Sequence, residues 1–287
     1  MPAANADIIR QLQREILPLQ GYKPPTSGKA VAFRLGPIET AFPNHRFPTG
    51  AVHEFISRTP EQAAATAGFL SGLLAPLMQN GGACLWIGSQ KNVFPPGLAI
   101  YGVAPDRLLF VALRKEKDIR WAMEEALKYE ALAAVICEIS DLSFKDSRRL
   151  QLAVEQSRVT GFLLRYAPRN LGAVAAVARW EITPLPSIQE DGLPGIGFPH
   201  WQVDLQKIRN GKPGKWQVEW AAGHFRFLPQ PQPAIEAPSL PAAALLGTPP
   251  APHFPGIPAA ALPGIPAAPH GLPRHGAESR DQKRQTG

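Results

Sequence analysis

Residues 47–74 read FPTGAVHEFISRTPEQAAATAGFLSGLL, and this stretch decides the fold. A glycine-led apolar segment, a short polar loop and an alanine-rich segment predict a strand, a turn and a helix, the frame of a phosphate-binding P-loop. A working P-loop has the pattern GxxxxGK[ST], in which glycines let backbone N–H groups wrap the phosphates and a lysine reaches the terminal ones. Here the loop reads SRTPEQAAAT, without that glycine or that lysine. The frame is therefore present without the residues that hold phosphate.

Apolar strand patterns alternate with helical patterns from Gly50 to about Leu185. The predicted strands are AVHEFI, ACLWIG, LLFVAL, LAAVICEIS, GFLLRY and VARWEITPL. Helices are predicted over Glu61 to Met78, KDIRWAMEEALKYEA and SRRLQLAVEQSRV, with a helix or loop over NVFPPGLAIYG. Continuous apolar strands separated by helices are typical of βαβ units, in which helices cover both faces of a mostly parallel sheet. The predicted fold class is α/β.

Beyond this core the apolar pattern changes to a period of two. Alternating apolar residues occur in two runs, Trp201, Val203 and Leu205, then Trp216, Val218 and Trp220. The link RNGKPGK between the runs predicts an antiparallel hairpin that extends the edge of the parallel sheet.

Segments of different character precede and follow this core. The start, ADIIRQLQREILPLQG, predicts an amphipathic helix, and a short strand is expected around Val31 to Phe33. After Leu228 the chain becomes rich in proline and alanine, carries the hexapeptide PGIPAA twice, and is expected to be extended and disordered. The predicted regions are 1–48, 49–228 and 229–287.

Composition limits the classes of function. The 287 residues carry a formal charge of +7, which favours an anionic partner such as nucleic acid. Only two cysteines occur, Cys84 and Cys137, each within an apolar run, which argues against a disulfide framework or a cysteine-built zinc site and indicates a reducing compartment. No long apolar run or signal-peptide pattern occurs, so the protein is expected to be cytoplasmic.

Ligands of open parallel sheets bind beyond the carboxyl ends of the strands. In the loop after AVHEFI, Arg58 offers a charge, and Ser57, Thr59 and Thr66 offer hydroxyl groups. Glu138 ends a buried strand, where nucleotide hydrolases hold a metal, but it could equally be a solvated strand end. Asp118 is more simply a helix N-cap. The histidines show no metal-ligand spacing.

Basic residues concentrate in the second half of the chain and are interleaved with aromatic residues, as in single-strand binders. A solvated hairpin tip explains part of this pattern equally well. If the group binds DNA, its contacts should be to phosphates. The predicted DNA- or partner-binding set is Arg148, Arg149, Arg158, Arg165, Arg169, Lys207, Arg209, Lys212 and Lys215.

The segment LGPIETAFPNHRFPTGAVHEF resembles the entry into the ATPase core of RecA-type recombinases. A set of segments resembles the ImuA family more closely, over roughly Asp7 to Phe227: FPTGAVHEF, GGACLWIG, FPPGLAIYGVAPDRLLFVAL, EKDIRWAMEEAL, RRLQLAVEQSRVTGFLLR, ARWEITPLPS and LQKIRNGKPGKWQVEW. The resemblance implies a RecA-like accessory protein of bacterial damage-induced (SOS) mutagenesis. In that family it acts with ImuB, an inactive relative of Y-family polymerases, and with an error-prone C-family polymerase.

The resemblance also implies which RecA roles this chain has lost. The P-loop lysine position falls near Ala63 or Ala64 and the glycine before it near Gln62. The strand-end aspartate becomes Glu138, and the catalytic glutamate falls near Asp118. The counterparts of the DNA-contacting loops, SDLSFKDS and APRNLGAV, are brief. Neither ATP turnover nor strand exchange is therefore expected, and no cofactor or metal is predicted.

Three functions remain open from the sequence. The first is a non-catalytic factor that docks on ImuB, the C-family polymerase or RecA, with Ile8, Leu12 and Ile16 as candidate contacts; these side chains could instead pack on their own core. The second is an ATPase with a degenerate P-loop, in which Arg58 replaces the lysine. The third is a cell-division inhibitor that, like SulA, binds FtsZ.

Overall fold

Apart from short gaps, the computed structural model describes one continuous body, made of residues 31–79, 81–89, 93–187 and 197–228. Its strands are β1 Val52–Ser57, β2 Ala83–Gly88, β3 Leu108–Ala112, β4 Leu132–Glu138, β5 Thr160–Tyr166, β6 Ala178–Leu185, β7 His200–Ile208, β8 Gly214–Ala221 and β9 His224–Leu228. Its α-helices are α1 Pro60–Met78, α2 Glu116–Leu127 and α3 Phe144–Ser157. Short 3-10 helices span Gly36–Ala41, Pro43–His45, Pro95–Tyr101 and Pro105–Arg107.

All nine strands belong to one sheet, in the order β3-β2-β4-β5-β1-β6-β7-β8-β9. Strands β1 to β6 pair in parallel, and β7 to β9 add three antiparallel strands beyond β6. The central strand β1 is buried along its whole length. The predicted α/β class, with a mostly parallel sheet and a C-terminal antiparallel hairpin, is confirmed.

The apolar alternation of β1 explains why helices cover both faces of the sheet. Phe55 packs into the core on the α1 face, whereas Val52 packs into the core on the face covered by α2 and α3. Each buried aromatic or aliphatic side chain contributes roughly 1.5–3 kcal/mol to folding. Burial on both faces therefore fixes the position of β1 and of the first residues of the loop that follows it.

Two glycines let α1 lie close to the antiparallel strands. A Cβ added at Gly68 would lie 3.0 Å from the Trp201 ring of β7, and one added at Gly72 would lie 2.5 Å from the Phe225 ring of β9. The two glycines are one helical turn apart and share a face. The stretch AGFLSG thus fixes where the helix meets the aromatic core.

His53 lies buried on the α1 face of β1. Its Nε2 is 2.7 Å from the Pro48 carbonyl, its Nδ1 accepts a bond from the Trp180 indole, and its ring stacks on Phe47. Burial lowers the pKa of His53 to about 4, and the bond to Pro48 opposes this only in part. The ring is therefore neutral at physiological pH, with Nε2–H donating to Pro48.

Both cysteines are buried and unbridged. Burial raises the pKa of Cys84 to about 12 and raises the pKa of Cys137 as well. Both thiols therefore stay protonated within the core. In the part of the chain that the structure describes, no helix is both long and apolar enough to cross a membrane.

The structure differs from the sequence prediction at two segments. The strand expected at Val31 to Phe33 does not form, because positive φ angles at Arg34 and Gly36 turn the chain into a 3-10 helix. Strand β9 was not predicted; it follows the turn residues Ala222 and Gly223, both at positive φ. The predicted N-terminal helix with Ile8, Leu12 and Ile16 and the region 229–287 lie outside the described residues.

Candidate functional site

The loop after β1 closes on itself. Thr59 is the N-cap of α1, and its hydroxyl accepts a hydrogen bond from the backbone N–H of Gln62. The Ala63 N–H donates to the Thr59 carbonyl at 3.0 Å. Ser57 and Thr66, both predicted as hydroxyl donors to a ligand, lie buried with their oxygens 3.1 Å apart, so that they bond each other. The chain itself therefore satisfies donors that would face a phosphate.

Gln62 is the residue that completes this closure. Its side-chain oxygen accepts a hydrogen bond from the Arg58 N–H at 2.7 Å, while its amide nitrogen donates to Glu181 and Thr183 of β6 at 3.2 and 3.1 Å. Sequence reasoning missed this residue, although TPEQ carries the T-x-x-Q pattern of a capping box. The glutamine lies where the resemblance placed the second P-loop glycine.

Charges around the loop also disfavour phosphate. The Nε of Arg58 lies 3.9 Å from the Glu181 carboxylate, and the arginine side chain is 54% exposed. A hydrogen bond with Thr59, and then one with its own backbone N–H, lowers the pKa of Glu61 in the first turn of α1. A carboxylate therefore lies at this helix N-terminus, the position that favours an anion.

A cavity of about 460 Å³ lies beside the loop, at the carboxyl ends of β1, β2, β4 and β5. Its apolar walls come from both the helices and the strands. They include Ala63, Ala64 and Ala67 of α1, Ile119 of α2, and Trp86 and Leu164 of the sheet. Ser57, Thr66 and Glu138 also line it, so the structure brings three of the predicted site residues together here.

The predicted carboxylates do not form a metal site. Glu138 lines the cavity and accepts a 2.7 Å hydrogen bond from the Trp86 indole N–H. Asp118 was expected to be the N-cap of α2, but Lys115 holds that position. Asp118 does not line the cavity either, whereas Glu116 of the same helix lines it. Among the described residues, no group of three or more His, Cys, Asp or Glu side chains could hold a metal ion.

A buried ion-pair cluster supports the same edge of the sheet. Glu54 of β1 is fully buried and accepts 2.6 Å hydrogen bonds from Arg165 of β5 and Arg179 of β6. The two arginines also donate to the carbonyls of Asn170 and Gly172, in the loop after β5. Charges so deeply buried require pairing. Sequence reasoning missed Glu54 and Arg179, although both are charged residues within apolar strands.

The predicted basic set is divided between the two edges of the sheet. Arg165 is 1% exposed and paired with Glu54, so its prediction as a surface cation is wrong. Arg169 follows β5 at the carboxyl edge, and Arg148 and Arg149 lie in the first half of α3, where Arg149 pairs with Glu124. Of the other five predicted cations, Lys215 on β8 pairs with Asp204, and four lie near the amino edge: Arg158, Lys207, Arg209 and Lys212.

Comparison with known proteins gives one group of sequence relatives. No family model matches the chain. Protein ImuA from two strains of Caulobacter vibrioides is 33% identical over 210 residues, which cover 67% of this chain and 86% of each relative. Among solved structures, the RadB recombinase aligns with a TM-score of 0.48 and 12% identity, over 68% of this chain and 98% of that one. The likeness in sequence is extensive enough to establish common ancestry.

Proposed function

The chain belongs to the ImuA family, and on that premise we propose that it is a non-catalytic accessory factor in damage-induced, error-prone translesion DNA synthesis. Its RecA-like body docks on an ImuB-type inactive polymerase, on an error-prone C-family polymerase or on RecA. The main support for a non-catalytic role is the closed loop after β1. There Gln62 accepts a hydrogen bond from the Arg58 N–H and donates hydrogen bonds to β6.

Two further features support this proposal. Arg58, the cation nearest to the missing lysine, has its Nε 3.9 Å from the Glu181 carboxylate. Glu138, at the position of a metal-holding carboxylate, is bonded to the Trp86 indole. A group that orients ATP or magnesium would have to break these contacts first. The protein therefore contributes surfaces for assembly and no chemical step.

The role in mutagenesis is tested in cells that lack this gene. Damage-induced mutants should fall to the background frequency, and the wild-type chain should restore them. Glu138→Gln keeps the acceptor for Trp86 but removes the carboxylate charge, so this variant should restore mutagenesis equally well. Unchanged mutagenesis in the deletion strain would refute the role itself. Failure of a folded Glu138→Gln variant that still co-purifies with its partners would refute only the non-catalytic nature of the protein.

Docking is tested separately with the predicted N-terminal helix. Replacing Leu12 and Ile16 with Asp removes apolar contact area and introduces charge, so co-purification with the ImuB-type protein or RecA should be lost. The double variant should keep the far-ultraviolet circular dichroism and melting temperature of the wild type. Retained co-purification would exclude this helix as the docking element.

A further inference from the structure

We propose that the cavity at the carboxyl edge of the sheet binds an aromatic side chain of a protein partner, in the space where a nucleotide-binding core would hold phosphate. This inference extends the docking role proposed above. Its test uses only the purified chain, so that it can fail while the role in mutagenesis stands.

The walls of the cavity are suited to an apolar group. Ala63, Ala64 and Ala67 lie on one side of α1, and their methyl groups leave the volume that longer side chains would fill. Ile119, Ile139 and Leu164 close the other sides. At about 460 Å³, the cavity falls within the range of 300–1,000 Å³ that is usual for ligand pockets with mainly apolar linings.

Four polar side chains of the lining already have partners within the protein. Ser57 and Thr66 bond each other, Arg165 pairs with Glu54, and Glu138 accepts the Trp86 indole N–H. A neutral aromatic group can therefore enter without leaving these groups unpaired. A phosphate, by contrast, would approach the carboxylates of Glu138 and Glu116, while the buried Arg165 is already paired with Glu54 and the other arginine of the lining, Arg114, is exposed to solvent.

The rim indicates that the aromatic group belongs to a peptide. Tyr166, 48% exposed, lies at the rim together with the exposed side chains of Arg114 and Glu116. Tyrosine and arginine are enriched at the energetic centres of protein interfaces. The Arg114 cation can donate hydrogen bonds to the carbonyls of a peptide backbone, and the Glu116 carboxylate can accept them from its N–H groups. A polyanion would be attracted by the arginine but repelled by the carboxylate.

The direct test measures the binding of N-acetyl-L-tryptophanamide to the full chain by ligand-observed nuclear magnetic resonance. Saturable binding is expected at millimolar concentration, as is usual for a ligand of this size. Free indole should bind more weakly because it lacks the amide groups that reach the rim, and sodium pyrophosphate should neither bind nor compete. Tighter binding of indole would assign the cavity to a small molecule instead and overturn the proposal.

A variant that fills the cavity tests whether the tryptophan analogue binds there and not elsewhere on the protein. Ala64 is exposed and lines the cavity, so Ala64→Phe should fill the mouth and weaken binding by about tenfold or more without unfolding the protein. The matched control is Ala131→Phe, at an exposed alanine that precedes β4 at the opposite edge of the sheet. Equal binding by both variants, or no saturable binding by the wild type, would overturn the proposal; melting temperatures confirm that both variants are folded.

Discussion

The loop after β1 and the cavity beside it lie at the same edge of the sheet, but their polar and apolar groups are arranged in opposite ways. In the loop, polar groups that would meet phosphate are bonded to Gln62, Thr59 and Glu181. In the cavity, the walls are mainly apolar and the space is open. The loop thus satisfies its polar groups inside the chain, whereas the cavity keeps an open and mainly apolar volume.

This difference separates the residues that the parallel sheet needs for packing from the residues that only nucleotide binding would need. The turn at Gly50 is needed for packing, because a Cβ there would lie 3.2 Å from the Arg158 carbonyl, and its φ of +61° favours glycine. No glycine or lysine is needed at the start of α1 for packing, since Gln62, Ala63 and Ala64 lie in its first turns and the helix is regular there. The following predictions probe this division, from the largest expected effect to the smallest.

The buried cluster beneath both regions should be the most sensitive point. Glu54→Ala leaves the buried Arg165 with only the more distant Asp141 carboxylate, 3.6 Å away, as a counter-charge, so the free energy of unfolding should fall by about 3–5 kcal/mol. Urea denaturation measures this change. The matched control is Lys215→Ala, which breaks the Asp204 ion pair of a 66% exposed side chain and should alter the same quantity far less, because solvent screens an exposed ion pair. Similar values for the two variants would show that the cluster does not support the sheet.

His53 should make the core sensitive to acid. Because burial lowers its pKa from 6.5 to about 4, the unfolded chain binds a proton in this range while the folded chain does not. Its effect on stability is absent above pH 6.5 and grows as the pH falls towards 4, reaching about 3 kcal/mol of destabilisation. The variant His53→Asn should show a flatter pH dependence in urea denaturation between these limits. An unchanged slope would mean that other groups cause the acid sensitivity.

Gln62 should matter for stability less than Glu54 but more than an exposed polar residue elsewhere. Gln62→Ala removes the acceptor of the Arg58 N–H and two hydrogen bonds to β6, so unfolding should become easier by about 1–2 kcal/mol. Gln206→Ala, which removes only one bond to Glu181, is the control and should lose about half as much. Equal losses would mean that the loop is not closed through Gln62.

The divided basic set gives the smallest expected effect. If the amino-edge cations contact DNA phosphates, the double variant Lys207→Glu and Lys212→Glu should reduce the salt exponent of single-strand binding by about 2 or slightly less. Fluorescence anisotropy of a labelled oligonucleotide at several salt concentrations measures the exponent. Arg148→Glu, on α3, should leave it nearly unchanged. The reverse result would place the DNA contact on α3.

The sequence predicts the fold well because its signals are local and repeated. Apolar strands and long helical patterns place β1 to β8 and the three helices, and the period of two predicts the hairpin. The errors arise where the backbone departs from simple patterns. Arg34 and Ala222 adopt positive φ angles, which are uncommon for their residue types and cannot be predicted from them. The strand expected before Arg34 is therefore absent, and strand β9, which follows Ala222, was missed.

The site is predicted less well because its decisive contacts join distant parts of the chain. Gln62 reaches β6 more than a hundred residues away, and Glu54 meets Arg165 and Arg179 only after the sheet has assembled. A charge count treats Arg165 as a surface cation, whereas burial and pairing make it structural. The missing lysine, by contrast, is visible in the sequence because a P-loop is a contiguous pattern.

Calorimetry with ATP and magnesium tests the central claim most directly, namely that this chain has closed its phosphate site with its own side chains. No saturable heat should appear at millimolar nucleotide, for the wild type and for Arg58→Ala alike, because the loop donors are bonded within the protein. Saturable binding at micromolar concentration, lost in Arg58→Ala, would contradict this claim and restore a nucleotide-dependent role.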